Sequence, residues 1–276
     1  MVDLRLGDCL ELMKQIPDGS VDMVLCDLPY GTTACKWDAV IPFNLLWEQY
    51  ERVVKDTSAI VLFGQEPFSS ALRMSNPGLY RYDWIWEKQR PSNFQLMNYQ
   101  CGRVHENIMV FSKANACYSG GKFTMTYNPQ TTPREKARVS VKNTVYGKNN
   151  ILHNYNKSAK DCSEKKTYDV KLPTSIIRFN TVERGKLHPT QKPVDLLKYL
   201  VQTYTNEGDI VLDNCMGSGS TGVACVETNR NFIGIELDEN YFNIAKERLK
   251  MTHEEYKKFL EEKAKKEKEG AESGQT

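Results

Sequence analysis

One short loop combines residues that suit chemistry on a planar amine. Asp27-Leu28-Pro29-Tyr30 follows the apolar run 21–26, which predicts a position at the carboxyl end of a strand, where α/β proteins bind ligands. The Asp27 carboxylate and the Leu28 carbonyl can accept the two hydrogens of an exocyclic amine, and this favours a pyramidal nitrogen with an available lone pair. Pro29 stiffens the loop, and Tyr30 offers a flat face for a flipped base. The loop therefore suits methylation of an amine.

A second segment predicts an adenosine site. The apolar run 210–212 leads through Asp213 into a glycine-rich turn that ends at Gly222, and a helix follows. Its glycines allow close approach of backbone to a ligand. Glu236 ends the next predicted strand, where its carboxylate can accept hydrogen bonds from two ribose hydroxyls. A plain strand–helix connection would need only the turn, so the position of Glu236 favours a binding site.

The surrounding elements predict an α/β sheet with helices on both faces. Apolar runs alternate with stretches of helical spacing at 2–6, 9–16, 21–26, 43–54 and 59–63. Only one helix and a charged tail follow the strand that ends at Glu236, so strands from the N-terminal half must complete the sheet. This order favours a circularly permuted Rossmann-like sheet over a dinucleotide-binding dehydrogenase.

A basic, irregular segment interrupts the pattern from about residue 114 to 187. Residues 113–187 hold 15 Lys and Arg against five Asp and Glu, a balance of +10, so the remainder of the +2 chain carries −8. Such a segment could bind a polyanion or be a solvated insertion without a partner. The charge alone leaves these two interpretations open.

Composition favours a cytoplasmic location. No apolar run reaches the roughly 18 residues that a membrane span needs, and the N-terminus lacks the apolar stretch of a signal peptide. The eight cysteines form no CxxC pair or Cys/His cluster. We therefore expect reduced thiols, no metal site and no membrane partner.

Taken in order, the motifs resemble the β class of S-adenosylmethionine-dependent DNA amino-methyltransferases. In that class the D-x-P-Y motif precedes the glycine motif that binds the cofactor. The matching segments are 6–9 (LGDC), 27–30 (DLPY), 188–193 (HPTQKP), 213–219 (DNCMGSG) and 233–236 (IGIE). The family's glycine motif more often begins Asp-Pro-Phe, where this chain has Asp213-Asn214-Cys215.

The resemblance implies a role for each matching residue. Residues 27–30 would hold the target base, with Asp27 also facing the cofactor. The residues implied in cofactor binding are Asp8 and Cys9 at the adenine, Glu236 at the ribose, Asp213, Gly217 and Gly219 at the methionine end, and Thr190 and Lys192 near its carboxylate. His188 is expected to be structural.

An Asp at the first catalytic position favours N6 of adenine, because family members with Ser there favour N4 of cytosine. N4-cytosine methylation stays the main alternative, and a non-catalytic DNA-binding homologue is a further one. A C5-cytosine enzyme is excluded because no Pro-Cys pair occurs. The stretch 106–108 loosely resembles that class, and we assign it no role.

The predicted organisation has four parts. Residues 1–113 form the catalytic half of the methyltransferase domain, 114–187 the inserted target-recognition region, 188–250 the cofactor-binding half, and 251–276 a charged tail. The expected partner is double-stranded DNA, with a homodimer and a cognate restriction endonuclease as further candidates.

Overall fold

The computed structural model describes residues 1–31, 38–117, 124–141, 165–182, 187–188 and 191–250. The strands are β1 Val2–Leu6, β2 Val21–Cys26, β3 Val54–Gly64, β4 Tyr80–Glu87, β5 His105–Phe111, β6 Thr132–Val141, β7 Lys165–Lys171, β8 Ile176–Arg178, β9 Ile210–Asp213 and β10 Asn231–Glu236. The helices are α1 Cys9–Met13, α2 Phe43–Val53, α3 Phe68–Ser75, α4 Val194–Tyr204, α5 Ser220–Glu227 and α6 Glu239–Lys250. The predicted tail, 251–276, lies outside the described residues.

Eight strands form one mixed sheet in the order β1-β10-β9-β2-β3-β5-β4-β8. The strands from β1 to β3 are parallel, whereas β5 is antiparallel to both β3 and β4. Strand β9, near the C-terminus, lies between β10 and β2. The predicted circular permutation is confirmed, because N-terminal and C-terminal strands interleave in a single sheet.

Alternation along β2 explains why helices cover both faces of the sheet. Met23 and Leu25 pack in one hydrophobic cluster with α4, α5 and α6. Val24 and Cys26 point to the opposite face and pack in a second cluster with α1, α2 and α3. Because β2 is buried on both faces, its sequence is a nearly continuous apolar run rather than an alternating one.

The segment predicted as irregular differs from that prediction in its described residues. Strand β8 pairs with β4 in the main sheet, and β6 pairs with β7 in a separate antiparallel sheet. The compact unit that contains β6 and β7 spans Pro129–Thr174, narrower than the predicted 114–187. Polar and charged residues occur throughout β6 and β7, so their sequences lack the apolar alternation that identifies a half-buried strand.

The boundaries of two elements also differ from those predicted from the sequence. Helix α1 ends at Met13, where a helix to residue 16 was predicted. Strand β3 begins at Val54, directly after α2, rather than at residue 59. Both differences lie at element ends, where local pattern constrains the backbone least.

Gly222 tests how tightly α5 packs between β10 and α6. A Cβ at this position would lie 2.7 Å from Cε1 of Phe232 and 2.8 Å from Cδ1 of Leu249. We expect Gly222→Ala to lower the free energy of unfolding by about 1–3 kcal/mol through overpacking, although alanine favours a helix by about 1 kcal/mol. Urea denaturation measures the change.

Gly78→Ala is the matched control, because its nearest neighbour, the Asn76 side-chain oxygen, would lie 3.8 Å from the new Cβ. Equal stability of the two variants would contradict the tight packing assigned to α5.

Candidate active site

The sheet brings the predicted motifs to one edge. Strands β1, β10, β9 and β2 are parallel neighbours, so their carboxyl ends share an edge. Asp8, Glu236, Asp213 and Asp27 lie at or just after those four ends. Residues up to 228 positions apart in the sequence therefore meet at one rim.

A cavity of about 780 Å³ lies along this rim. Its lining includes most of the residues predicted for the site. They are Asp8, Cys9, Asp27, Leu28, Pro29, Tyr30, Lys192, Asp213, Gly217 and Glu236. A volume of this size is in the range of small-molecule and cofactor sites. Thr190, also predicted for this site, lies outside the described residues.

The loop of residues 27–30 is anchored by its second residue. Leu28 is buried in the core with 4% of its surface exposed. Asp27 keeps 22% of its side-chain surface exposed, on the cavity side. The backbone N–H of Gly31 donates to the Asp38 side chain over 2.9 Å and so helps hold the end of the loop.

A buried cluster of charges surrounds Asp27. The Lys192 ammonium lies 2.7 Å from one oxygen of Asp27 and 2.9 Å from Glu106. Lys88 lies 2.6 Å from the other Glu106 oxygen. Glu106, Lys88 and Lys192 each expose less than a tenth of their side-chain surface. With two cations and two carboxylates, the cluster is neutral when all four groups are ionised.

The Tyr30 hydroxyl joins the same cluster. It lies 2.7 Å from Asp27 Oδ1 and 2.9 Å from Glu106 Oε1, within hydrogen-bond distance of both. A phenol has one hydrogen, so it donates to one carboxylate at a time. The Tyr30 ring packs on Phe68, with centroids 4.8 Å apart. The Tyr30 hydroxyl is thus placed to orient the Asp27 carboxylate, and stacking of its ring on a base stays a prediction.

The cluster shifts the pKa values of Asp27, Glu106 and Lys192. Burial raises the pKa of Asp27, although the Lys192 charge opposes this. Burial would also raise the pKa of Glu106, but Lys192 and Lys88 lower it to about 2. Burial would lower the pKa of Lys192, but Asp27 and Glu106 raise it above its usual value. Lys192 is therefore charged, and Glu106 is ionised, at neutral pH.

Lys192 lines the cavity and is paired with protein carboxylates. The sequence suggested a position near the carboxylate of a cofactor, whereas its ammonium is bound by two protein carboxylates. His188 packs against Tyr241, with ring centroids 4.2 Å apart, and lies beside Gly217. Burial lowers the pKa of His188 to about 4, so this ring is neutral at ordinary pH.

The glycine turn is tied to the neighbouring strand through Glu236. One carboxylate oxygen of Glu236 accepts from the Gly217 N–H over 2.8 Å, and the other accepts from the Asp238 N–H over 2.9 Å. Gly217 and Gly219 have φ of 51° and 77°, a left-handed conformation that favours glycine. A carboxylate has about four lone-pair positions, so Glu236 keeps capacity for ligand hydroxyls.

Asn214 links the turn to helix α2. The Tyr50 hydroxyl donates to Asn214 Oδ1 over 2.6 Å, and both side chains are buried. Asp213 accepts from the Cys215 N–H over 3.2 Å. This turn departs from the family's usual Asp-Pro-Phe, and the departure has a structural consequence. A proline side chain at 214 could not accept a hydrogen bond from the Tyr50 hydroxyl.

Asp8 lies beside Glu236 at the rim and caps α1. Its side chain accepts from the N–H groups of Leu10 and Glu11, at 2.9 and 3.2 Å. The Gly7 N–H donates to the Glu236 carbonyl over 2.9 Å, which fixes the loop against β10. Cys9 follows and lines the cavity.

Glu106 and Lys88 are site residues that the sequence analysis missed. Glu106 lies near the start of β5, before the apolar residues 108–111, and a charged residue on a buried strand is a signal for a buried partner. Lys88 directly follows β4, which is paired with β5. The sequence alone does not show which cations face Glu106. Lys88 follows a neighbouring strand, and Lys192 lies far from Glu106 along the chain.

The permuted sheet agrees with the order of motifs that the sequence predicted, and comparison with known families gives the class. Residues 21–247 match the N6/N4 methyltransferase family, described as DNA methylase. The chain belongs to this family and is a DNA methyltransferase. Its family uses S-adenosylmethionine, which confirms the predicted cofactor.

Curated relatives agree with this assignment. The chain is 27% identical over 271 residues to the Type II methyltransferase M.HinfI of Haemophilus influenzae, with 88% of this chain and 67% of that protein covered. It is also 27% identical over 251 residues to the Type II methyltransferase M1.MboII of Moraxella bovis, with 86% and 92% covered.

Solved structures share the fold. M1.HpyAVI in complex with S-adenosylmethionine has a TM-score of 0.57 at 24% identity, with 90% of this chain and 100% of that chain covered. The cytosine-N4-specific PvuII DNA methyltransferase has a TM-score of 0.61 at 14% identity, with 94% and 91% covered.

Metal-binding clusters and membrane-spanning helices are absent from the described residues. No group of three or more His, Cys, Asp or Glu side chains among them could hold a metal ion. In the same part of the chain, no helix is long and apolar enough to cross a membrane.

Asp213 gives the site a pH-dependent stability. Burial raises its pKa from the ordinary 3.8 to about 7. Between these values the folded protein binds more protons than the unfolded chain, so this group lowers stability as pH rises from about 4 to 7. We expect Asp213→Asn to gain stability relative to the parent protein over that window, by about 1.4 kcal/mol per unit of pKa shift.

Urea unfolding across that pH range measures the difference. Asp195→Asn is the control, because its carboxylate is 80% exposed and should show little change. A constant gap between Asp213→Asn and the parent protein at every pH would contradict a buried, protonated Asp213.

Proposed function

We propose that the protein transfers the methyl group of S-adenosylmethionine to N6 of adenine in double-stranded DNA. The supporting observation is the position of the Asp27 carboxylate. It faces the same cavity as Gly217 and Glu236, and Lys192 and Tyr30 hold it there. The proposed amine acceptor and these proposed cofactor residues thus line the same cavity.

Asp27 can receive the amine without breaking its present contacts. Its carboxylate has about four lone-pair positions, of which Lys192 and Tyr30 occupy two. The remaining capacity accepts one hydrogen of the adenine amine, and the Leu28 carbonyl accepts the other. Both bonds draw the nitrogen lone pair out of conjugation and aim it into the cavity. S-adenosylmethionine supplies an electrophilic methyl group bound to a sulfonium.

The cofactor residues fit an adenosine that lies along the rim. Glu236 is placed to accept from the ribose hydroxyls, and Asp8 and Cys9 lie beside it for the adenine. Asp213, Gly217 and Gly219 form the turn for the methionine end. In this proposal Lys192 and Glu106 serve Asp27 as positioning residues instead of binding the cofactor carboxylate.

Adenine is preferred because the first motif position is Asp27 rather than Ser. The matched family covers both N6 and N4 methylation, so cytosine N4 is the competing product. Target recognition is assigned to the compact unit Pro129–Thr174, within the basic segment of the sequence. A homodimer and a paired restriction endonuclease stay predictions.

Nucleoside analysis tests the reaction. Duplex DNA is incubated with the protein and S-adenosylmethionine carrying a labelled methyl group, and the digested nucleosides are identified by mass spectrometry. N6-methyladenine supports the proposal. Detection of N4-methylcytosine alone would contradict the adenine target and support the cytosine alternative. The absence of any labelled base would contradict methyl transfer to DNA.

Asp27→Asn should abolish methyl transfer while leaving the affinity for S-adenosylmethionine nearly unchanged. The amide keeps the side-chain shape but removes an acceptor oxygen and the negative charge beside Lys192. Single-turnover transfer and cofactor titration by calorimetry provide the two readouts. A variant that keeps a tenth of the parent rate would remove Asp27 from its assigned role.

Glu236→Ala should weaken cofactor binding because the ribose hydroxyls and the Gly217 N–H lose their acceptor. Loss of a hydrogen bond to a charged group costs about 1.5–3 kcal/mol, or roughly 10- to 150-fold in affinity. Calorimetry measures the affinity, with the exposed neighbour Glu239→Ala as control. If both variants bind equally well, Glu236 does not contact the cofactor.

A further inference from the structure

The connection between β4 and β5, residues 88–104, lies at the mouth of the cavity and is called the β4–β5 loop below. Arg90, Ser92 and Phe94 from this loop line the cavity that Asp27 faces. Its first residue, Lys88, is the one that binds Glu106. The loop is therefore continuous with the site but lies outside the compact unit Pro129–Thr174.

Hydrogen bonds across its base hold this loop in one shape. The Lys88 N–H donates to the Val104 carbonyl over 2.7 Å, and the Ser92 N–H donates to the Arg103 carbonyl over 2.9 Å. The Asn93 side chain accepts from the Arg103 N–H over 2.6 Å. These hydrogen bonds close the base of the loop, as in a β-hairpin, and hold its tip in position.

The tip presents large apolar side chains to solvent. Tyr99 is 88% exposed and Phe94 68%, while Met97 and Leu96 are about half exposed. Exposed apolar residues clustered on one loop mark an interaction site more often than isolated ones do. Polar amide side chains alternate with them, namely Gln95, Asn98 and Gln100.

The charge of the β4–β5 loop indicates the kind of partner that it binds. Residues 88–104 contain no Asp or Glu. Lys88 is buried and paired with Glu106, so the cations of the loop beyond that pair are Arg90 and Arg103. Aromatic, amide and arginine side chains without acidic residues suit nucleic acid, since arginine binds phosphate and aromatic rings stack on bases. A second copy of this chain is less suited, because it would cover the mouth through which a base must enter.

We propose that the β4–β5 loop is a DNA-contacting surface in addition to the recognition unit, with Tyr99 and Phe94 stacking on bases beside the extruded adenine and Arg90 binding the adjacent phosphates. The inference rests on the proposed function, because it needs a base that leaves the duplex. Extrusion costs stacking and pairing energy, and aromatic side chains that cover the exposed neighbouring bases offset part of it.

Tyr99→Ala and Phe94→Ala test the stacking. Binding is measured by fluorescence anisotropy of a labelled duplex, and extrusion by the fluorescence of 2-aminopurine at the target position. We expect roughly 5- to 150-fold weaker binding for each substitution and a smaller 2-aminopurine signal. Tyr99→Phe should retain both, because the ring that stacks is kept.

Arg90→Gln addresses the phosphate contact. It should weaken binding to all sequences and lower the log–log salt slope by about one unit. Met74→Ala is the control, because Met74 is a 74% exposed apolar residue on α3, outside the loop. The Tyr99 variants and Met74→Ala, whose positions lie outside the cavity lining, should keep the parent affinity for S-adenosylmethionine and the parent melting temperature.

The outcomes separate the inference from the proposed function. The inference is overturned if Tyr99→Ala and Phe94→Ala both bind DNA and give 2-aminopurine signals as the parent protein does. If the parent protein still methylates adenine, the proposed function is retained. Analytical ultracentrifugation that shows dimers lost in Tyr99→Ala would make the loop a self-association surface and also overturn it. Absence of methylated adenine in the parent protein would contradict the proposed function itself.

Discussion

The Lys192 ammonium links the C-terminal part of the site to its N-terminal part. It comes from the segment before α4 and binds Asp27, after β2, and Glu106, in β5. A buried cation is costly unless it is paired, and removing one member of a buried pair costs about 3–5 kcal/mol. The chain therefore has a strong energetic reason to keep Asp27 beside Lys192. The Tyr30 hydroxyl adds a neutral donor to the same carboxylate.

The parallel sheet makes this juxtaposition achievable. Strands β9 and β2 are paired with Met23 opposite Val211, so the end of β2, before Asp27, is adjacent to the start of the glycine-rich turn after β9. Glu236 then fixes that turn from β10 through the Gly217 N–H. Each functional group lies on a short loop after a buried strand, which combines a rigid scaffold with access to the cavity. The circular permutation changes the chain order without altering this arrangement.

Local sequence patterns predicted the parallel strands and the glycine turn because each depends on residues close together in the chain. The motif 27–30 and Glu236 were placed correctly at strand ends for the same reason. The partners of Lys192 were not predicted, since they depend on which way side chains point from β2 and β5. The β6–β7 pair was also missed, because both strands are rich in polar and charged residues and lack the apolar alternation that identifies a strand. The tail and Thr190 lie outside the described residues.

The central claim is that Asp27, held by Lys192 and Tyr30, receives the exocyclic amine of the target base. A crystal structure of the protein with a non-reactive cofactor analogue and a duplex containing the target adenine measures this directly. The account predicts the adenine N6 within hydrogen-bond distance of the Asp27 carboxylate and the Leu28 carbonyl, with Lys192 still on Asp27 and Glu106. An N6 atom bound elsewhere in the cavity, or Lys192 moved onto the carboxylate of the cofactor analogue, would contradict it.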